Sequence, residues 1–130
     1  MNHPKDTALI AAFRNVETTV NLSGHTPGHT GYEFSSKGQK VLFWGDIVPA
    51  LRVQLQHPEV TAVFDIDQTA AAATRRQLLT RLAREDVLIA GPHMNFPALG
   101  RLHRVGSGYS WAPVVFTDQW NKPAPSPHER

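Results

Sequence analysis

The sequence predicts an α/β fold, and three observations carry the prediction. Short runs rich in β-branched and aromatic residues recur between turns marked by Gly and Pro, as strands do. One long amphipathic stretch, residues 68–85, follows Asp67, a residue suited to cap a helix. Directly after it come Val87, Leu88, Ile89 and Ala90, all apolar, as in an interior strand covered on both faces. A helix with an apolar stripe between strand-forming runs is built to lie on a sheet.

Each element follows from its own residues. Residues 1–15 place Leu9, Ile10 and Phe13 on one side of a short helix. Asn15 to Leu22, with Val16, Thr18, Thr19 and Val20, reads as a strand that stops at Ser23 and Gly24. Gly31–Ser36 and Gln39–Trp44 read as a hairpin turning through Ser36, Lys37 and Gly38. Between Ile47 and Pro58 two prolines limit regular structure, while Leu51, Val53 and Leu55 alternate with polar residues, which predicts a loop with a short strand. Thr61 to Phe64 reads as another strand. The helix over 68–85 sets Ala71, Ala72, Leu78, Leu79 and Leu82 on one side, with Arg75, Arg76, Arg81 and Arg84 at its margins. Leu102–Val105 and Ser110–Phe116 complete the strands, turning around Gly106, Ser107 and Gly108. Residues 1–121 are expected to form one α/β domain, and the polar, proline-rich 122–130 a disordered tail.

Composition narrows the function. At 130 residues, 41% of them hydrophobic, the chain allows one domain with a core of useful size. Thirteen Lys and Arg against eleven Asp and Glu are spread along the chain, so no nucleic-acid footprint is expected. No apolar run approaches the roughly 20 residues that cross a bilayer. The start, from Met1 to Arg14, lacks a secretory signal, and the cytoplasm is the default expectation. No cysteine is present, which excludes disulfides, thiolate ligands and cysteine nucleophiles. Seven histidines are the unusual number, because imidazole is the commonest protein ligand for zinc-like metals.

Three segments concentrate that chemistry. Gly24-His25-Thr26-Pro27-Gly28-His29-Thr30 puts two imidazoles on a loop, since Pro27 and Gly28 oppose a helix. Asp46 follows one apolar strand after Trp44-Gly45, and His93 follows another after Gly91-Pro92. If those strands neighbour one another, His29, Asp46 and His93 converge on one rim, a normal donor set for zinc, iron or manganese. Taken singly, Asp46 reads as a turn residue and His93 as a solvated one; chance placement of all three is the weaker account. His3, His57, His103 and His128 are assigned to structure or solvent, and the helix arginines to a solvated margin. Among the aromatic residues Phe43 is assigned to the core, and Trp44 and Phe96 stand as candidates to wall a substrate pocket.

These segments, with Phe64-Asp65-Ile66-Asp67, Thr74-Arg75, Phe96-Pro97 and Gly108-Tyr109-Ser110-Trp111, resemble the C-terminal half of a metallo-β-lactamase-fold hydrolase over about Val20 to Phe116. They are most similar to the branch with lactonase-like and organophosphate-hydrolase-like members. The resemblance implies half of an αββα sandwich, a mixed sheet with helices on one face. It implies His29 as a ligand of one metal, Asp46 as a bridge between two, His93 as a ligand of the other, and His25 as a supporting residue or additional ligand. The family's His-x-His-x-Asp-His cluster is not found in this chain. Pro49 stands where several similar sequences have histidine, and Ala98 where a glycine is usual.

A solitary half leaves an apolar sheet face wet and each metal short of ligands. A homodimer would answer both, with two sheets covering each other and two ligand sets meeting near the axis as a two-metal centre. A monomer with His25, His29, Asp46 and His93 around one metal, and exchange of elements between chains, are the other arrangements. The expected function is metal-dependent hydrolysis of a carboxylic ester, lactone or phosphotriester, with Asp46 as the catalytic carboxylate and Zn2+, or Mn2+, Fe2+ or Co2+, as cofactor. The alternatives are a catalytically inactive remnant or fragment of such a protein, and an interaction module completed by a separate chain.

Overall fold

The computed structural model describes residues 18–115. The helix expected in 1–15, the beginning of the first strand, the tail at 122–130, and His3 and His128 lie outside them. Within them the chain forms β1 (Thr18–Asn21), β2 (Thr30–Ser36), β3 (Gln39–Phe43), a 3₁₀ turn (Gly45–Ile47) and a one-turn helix α1 (Leu51–Gln54). Then come the long helix α2 (Gln68–Glu85), β4 (Leu88–Ala90), β5 (Leu99–Val105) and β6 (Gly108–Pro113).

The six strands make one mixed sheet in sequence order. All neighbours are antiparallel except β3 and β4, which run parallel because α2 carries the chain back across the sheet between them. β1 is antiparallel to β2, and β2 to β3, so β1, β3 and β4 all point the same way. Their C-terminal ends therefore share one edge.

α2 forms where the sequence predicts it. Asp67 caps it by accepting the Ala70 N–H at 2.9 Å, and Asp86 closes it in a left-handed conformation with φ of 51°. Leu78, Leu79 and Leu82 pack onto Leu22, Leu42, Ile89 and Leu102 of the sheet side, and each buried leucine contributes about 1.5–3 kcal/mol. The opposite sheet face is apolar too. Register places Tyr32 opposite Phe43, Phe34 opposite Val41, and Phe43 beside Ala90. The Phe34 and Phe43 rings meet edge to face at 5.6 Å.

Several expectations need correcting. The alternation of Leu51, Val53 and Leu55 does not make a strand: the segment is the one-turn α1, held by buried Gln54, whose side chain accepts the Ala50 N–H and donates to Val60 O. Thr61–Phe64 is not a strand either. Asp65 ties it into a turn by accepting the Ala62 N–H at 3.0 Å, which leaves Val63 and Phe64 exposed. Phe43 is 46% exposed on the open face and not in the core, because strand alternation turns it away from α2. Leu88 and Ala90 of β4 are only half-buried, so that strand is covered fully on the α2 face alone. Arg75 is not a margin residue. It is fully buried, because the same spacing that aligns Ala71, Ala72, Leu78 and Leu79 also points residue 75 inward.

Candidate active site

The histidine loop is fixed before its side chains are considered. Gly24 lets it press against the first turn of α2, where an added Cβ would lie 2.3 Å from Ala71 N. Asp67 N donates to Gly24 O, Ile66 N to His25 O, and the Thr74 hydroxyl to Ser23 O at 2.8 Å. His29 then spans to the next strand end. Its Nδ1 donates to Leu22 O at 3.2 Å, and its Nε2 accepts the Asp46 backbone N–H at 2.9 Å. One ring thus binds the end of β1 to the end of β3.

Asp46 sits in the 3₁₀ turn after β3 and is half-exposed. Gly45 enters that turn with φ of 57°, and its missing side chain makes room for the His29 ring. His93 comes from the end of β4 in a left-handed conformation, φ 62°, an uncommon position for a residue with a side chain. Its Nε2 lies 2.9 Å from Asp46 Oδ1, while His25 Nε2 lies 3.6 Å from Asp46 Oδ2. The two imidazoles address opposite oxygens of one carboxylate. The His25 and His29 rings stand edge to face at 5.6 Å.

The structure thus gathers His25, His29, Asp46 and His93 at the shared strand edge. The two aromatic pocket candidates lie elsewhere. Trp44 is fully buried in the core beside Trp111, and so walls no open pocket. Phe96 is 91% exposed and borders a cleft of about 380 Å³ with Leu51, Arg52, Asn95, Tyr109 and Trp111. A smaller cleft beside it shares Leu51, Arg52 and Asn95 with the first and is also lined by Val53 and His93.

Two residues of the site carry no role in the sequence reading. Asp65 Oδ1 stands 3.0 Å from His25 Nδ1, and its Oδ2 faces Arg75 Nη2 at 3.5 Å. Burial pushes the Asp65 pKa up, but the Ala62 N–H, His25 and Arg75 outweigh it and the net shift is downward. Burial lowers the Arg75 pKa, partly offset by Asp65. The detectable signal for Arg75 was its place in the apolar stripe. For Asp65 it was a second aspartate in Phe64-Asp65-Ile66-Asp67, where one suffices to cap the helix.

No protein-family model matches the chain, and no curated protein gives a significant match. Solved structures do. The hydrolase AbOPH of the β-lactamase superfamily is 38% identical, with a TM-score of 0.74, over 78% of this chain and 35% of its own. AidC, a dizinc quorum-quenching lactonase, is 25% identical, TM-score 0.73, over 80% of this chain and 38% of its own. A probable metal-dependent hydrolase from Staphylococcus aureus shares the fold at 16% identity and TM-score 0.60, over 76% and 35%. The chain spans little more than a third of the length of these proteins. Its fold is part of the metallo-β-lactamase superfamily domain that these hydrolases share.

Imidazole nitrogen and carboxylate oxygen are donors that zinc and its neighbours take. In kind, the rim fits such an ion. In number it falls short: among the described residues no group of three or more His, Cys, Asp or Glu stands at ligating geometry. His29 Nε2, the nitrogen facing Asp46, is already engaged by a backbone N–H. Among the described residues no helix is long and apolar enough to cross a membrane.

Proposed function

We propose that this chain supplies half of a metal-dependent hydrolase site acting on an ester-like bond in a carboxylic ester, lactone or phosphotriester. The observation that carries the reading is the Asp46 carboxylate at the strand edge, with one imidazole nitrogen addressed to each oxygen. The likeness to hydrolases of the superfamily supports the reaction class. Asp46 and His93 would hold the metal, with His29 joining them once its Nε2 gives up the Asp46 N–H, Asp46 shared between two ions and His25 beside it. A bound divalent ion supplies Lewis acidity and makes water a competent nucleophile near neutral pH. The chain's own part is to hold the Asp46 carboxylate half-exposed at the rim, orient the imidazoles through Leu22 O and Asp65, and leave a cleft beside His93 for the substrate.

A second copy completes the donor set in this reading. The open sheet face, with Tyr32 at 47% and Phe43 at 46% exposure, is the surface two copies would bury against each other. The test is size-exclusion chromatography with light scattering, zinc titration by calorimetry, and hydrolysis assays on a lactone and a phosphotriester. A two-chain particle binding about one ion per chain, with turnover lost in His29→Ala, Asp46→Ala and His93→Ala, is expected. A stable monomer without zinc affinity overturns the reading. The incomplete donor set favours a second reading, an interaction module completed by a separate chain, for which that chain would co-purify.

A further inference from the structure

Arg75 is fully buried, and its guanidinium reaches two sides of the site at once. Its Nε donates to Ile47 O at 2.7 Å, one residue beyond Asp46. Its Nη1 donates to Pro58 O and Val60 O at 2.9 and 2.8 Å, and its Nη2 faces Asp65. Asp65 is itself sealed from water. Its Oδ2 is occupied by Arg75 and the Ala62 N–H, so only Oδ1 is left for His25. One branch of this bonding, through Asp65, ends on the His25 imidazole.

An ionised carboxylate can only accept hydrogen bonds, and Asp65 lies next to a buried cation that keeps it ionised. The proton of the neutral His25 ring must then sit on Nδ1. That leaves the Nε2 lone pair aimed at Asp46 Oδ2, 3.6 Å away. Two electron-rich atoms so placed do not bond to each other, and they hold a gap open for a cation.

We infer that Asp65, backed by Arg75, is a positioning residue that locks His25 as the Nδ1–H tautomer and directs its Nε2 lone pair toward Asp46. The inference rests on the proposed function only in treating Asp46 as a working group. Locking acts through the hydrogen bond alone, so it holds in the chain without metal or substrate. Asp65→Asn reverses it. Arg75 and Ala62 N–H both require an oxygen at Oδ2, so the amide nitrogen must face His25 and donate to Nδ1, moving the ring proton to Nε2.

Long-range proton–nitrogen NMR of the metal-free chain, at a pH where the ring is neutral, reads the tautomer directly. The expected result is Nδ1–H for His25 in the wild type and Nε2–H in Asp65→Asn. A wild-type ring carrying its proton on Nε2 overturns the inference, whether or not the variant folds. A folded Asp65→Asn chain that keeps Nδ1–H overturns it as well. Absence of hydrolysis with the expected tautomers removes the proposed function and leaves this assignment standing.

Discussion

Replacing Gly45 by alanine tests how closely the strand ends are fitted to the site. Gly45 has φ of 57°, where an L residue carries strain of about 1–2 kcal/mol. An added Cβ would also lie 2.5 Å from His29 Nε2, far inside contact distance. The ring is held on both sides, by Leu22 O at 3.2 Å and the Asp46 N–H at 2.9 Å, so retreat costs it these bonds. At about 1 kcal/mol for each, the displacement adds about 2 kcal/mol. The total is about 3–4 kcal/mol. Gly106→Ala is the matched control, because Gly106 has nearly the same φ, 59°, and nothing within 4 Å of the added carbon. Urea unfolding should therefore show Gly45→Ala less stable than Gly106→Ala by about 2 kcal/mol, with similar m-values. Zinc affinity should fall in Gly45→Ala alone. Equal stability losses in the two variants would refute the claim that His29 is wedged between Gly45 and Leu22.

Three further outcomes follow from the same geometry. Ala98 holds φ of 55°, so Ala98→Gly should raise stability by about 0.5–1 kcal/mol, the strain relieved less the entropy glycine adds to the unfolded chain, as measured by urea midpoint. The Asp65 pKa is lowered on folding from its ordinary 3.8, so its contribution is present above that value and lost as pH falls through the lower folded value. Acid titration followed by circular dichroism should accordingly show a flatter stability profile below about pH 4 in Asp65→Asn than in the wild type. Phe43→Lys, on the open sheet face proposed as the dimer interface, should shift the proposed two-chain particle to one chain in light scattering while leaving the circular dichroism spectrum unchanged. A two-chain particle that persists would place the interface elsewhere.

Local patterns in the sequence were sufficient for α2, its Asp67 cap, the hairpin of β2 and β3, and the position of β4, because each is set by neighbours a few residues apart. They were insufficient for Leu51–Gln54 and Thr61–Phe64. There, side chains binding backbone, Gln54 to Ala50 and Asp65 to Ala62, overrode alternation and β-propensity. The charge of Arg75 suggests a helix margin, but its position in the helical stripe sets it inside. The exposed apolar sheet face was expected, but not that Phe43 lies on it: Phe43 looks like core by type, and only the side on which α2 packs decides otherwise.

By itself the sequence singled out the candidates for chemistry: the imidazoles at 25 and 29 on the loop between β1 and β2, the carboxylate at 46 after β3 and the imidazole at 93 after β4. Tertiary structure decided that they meet, because β1, β3 and β4 run in one direction and end at one edge. It also decided what holds them, a buried Arg75–Asp65 pair reaching His25 across 40 residues of chain. Spacing along a chain constrains neighbours on one helix or strand. Contacts between elements depend on sheet order and helix placement, which no single segment encodes.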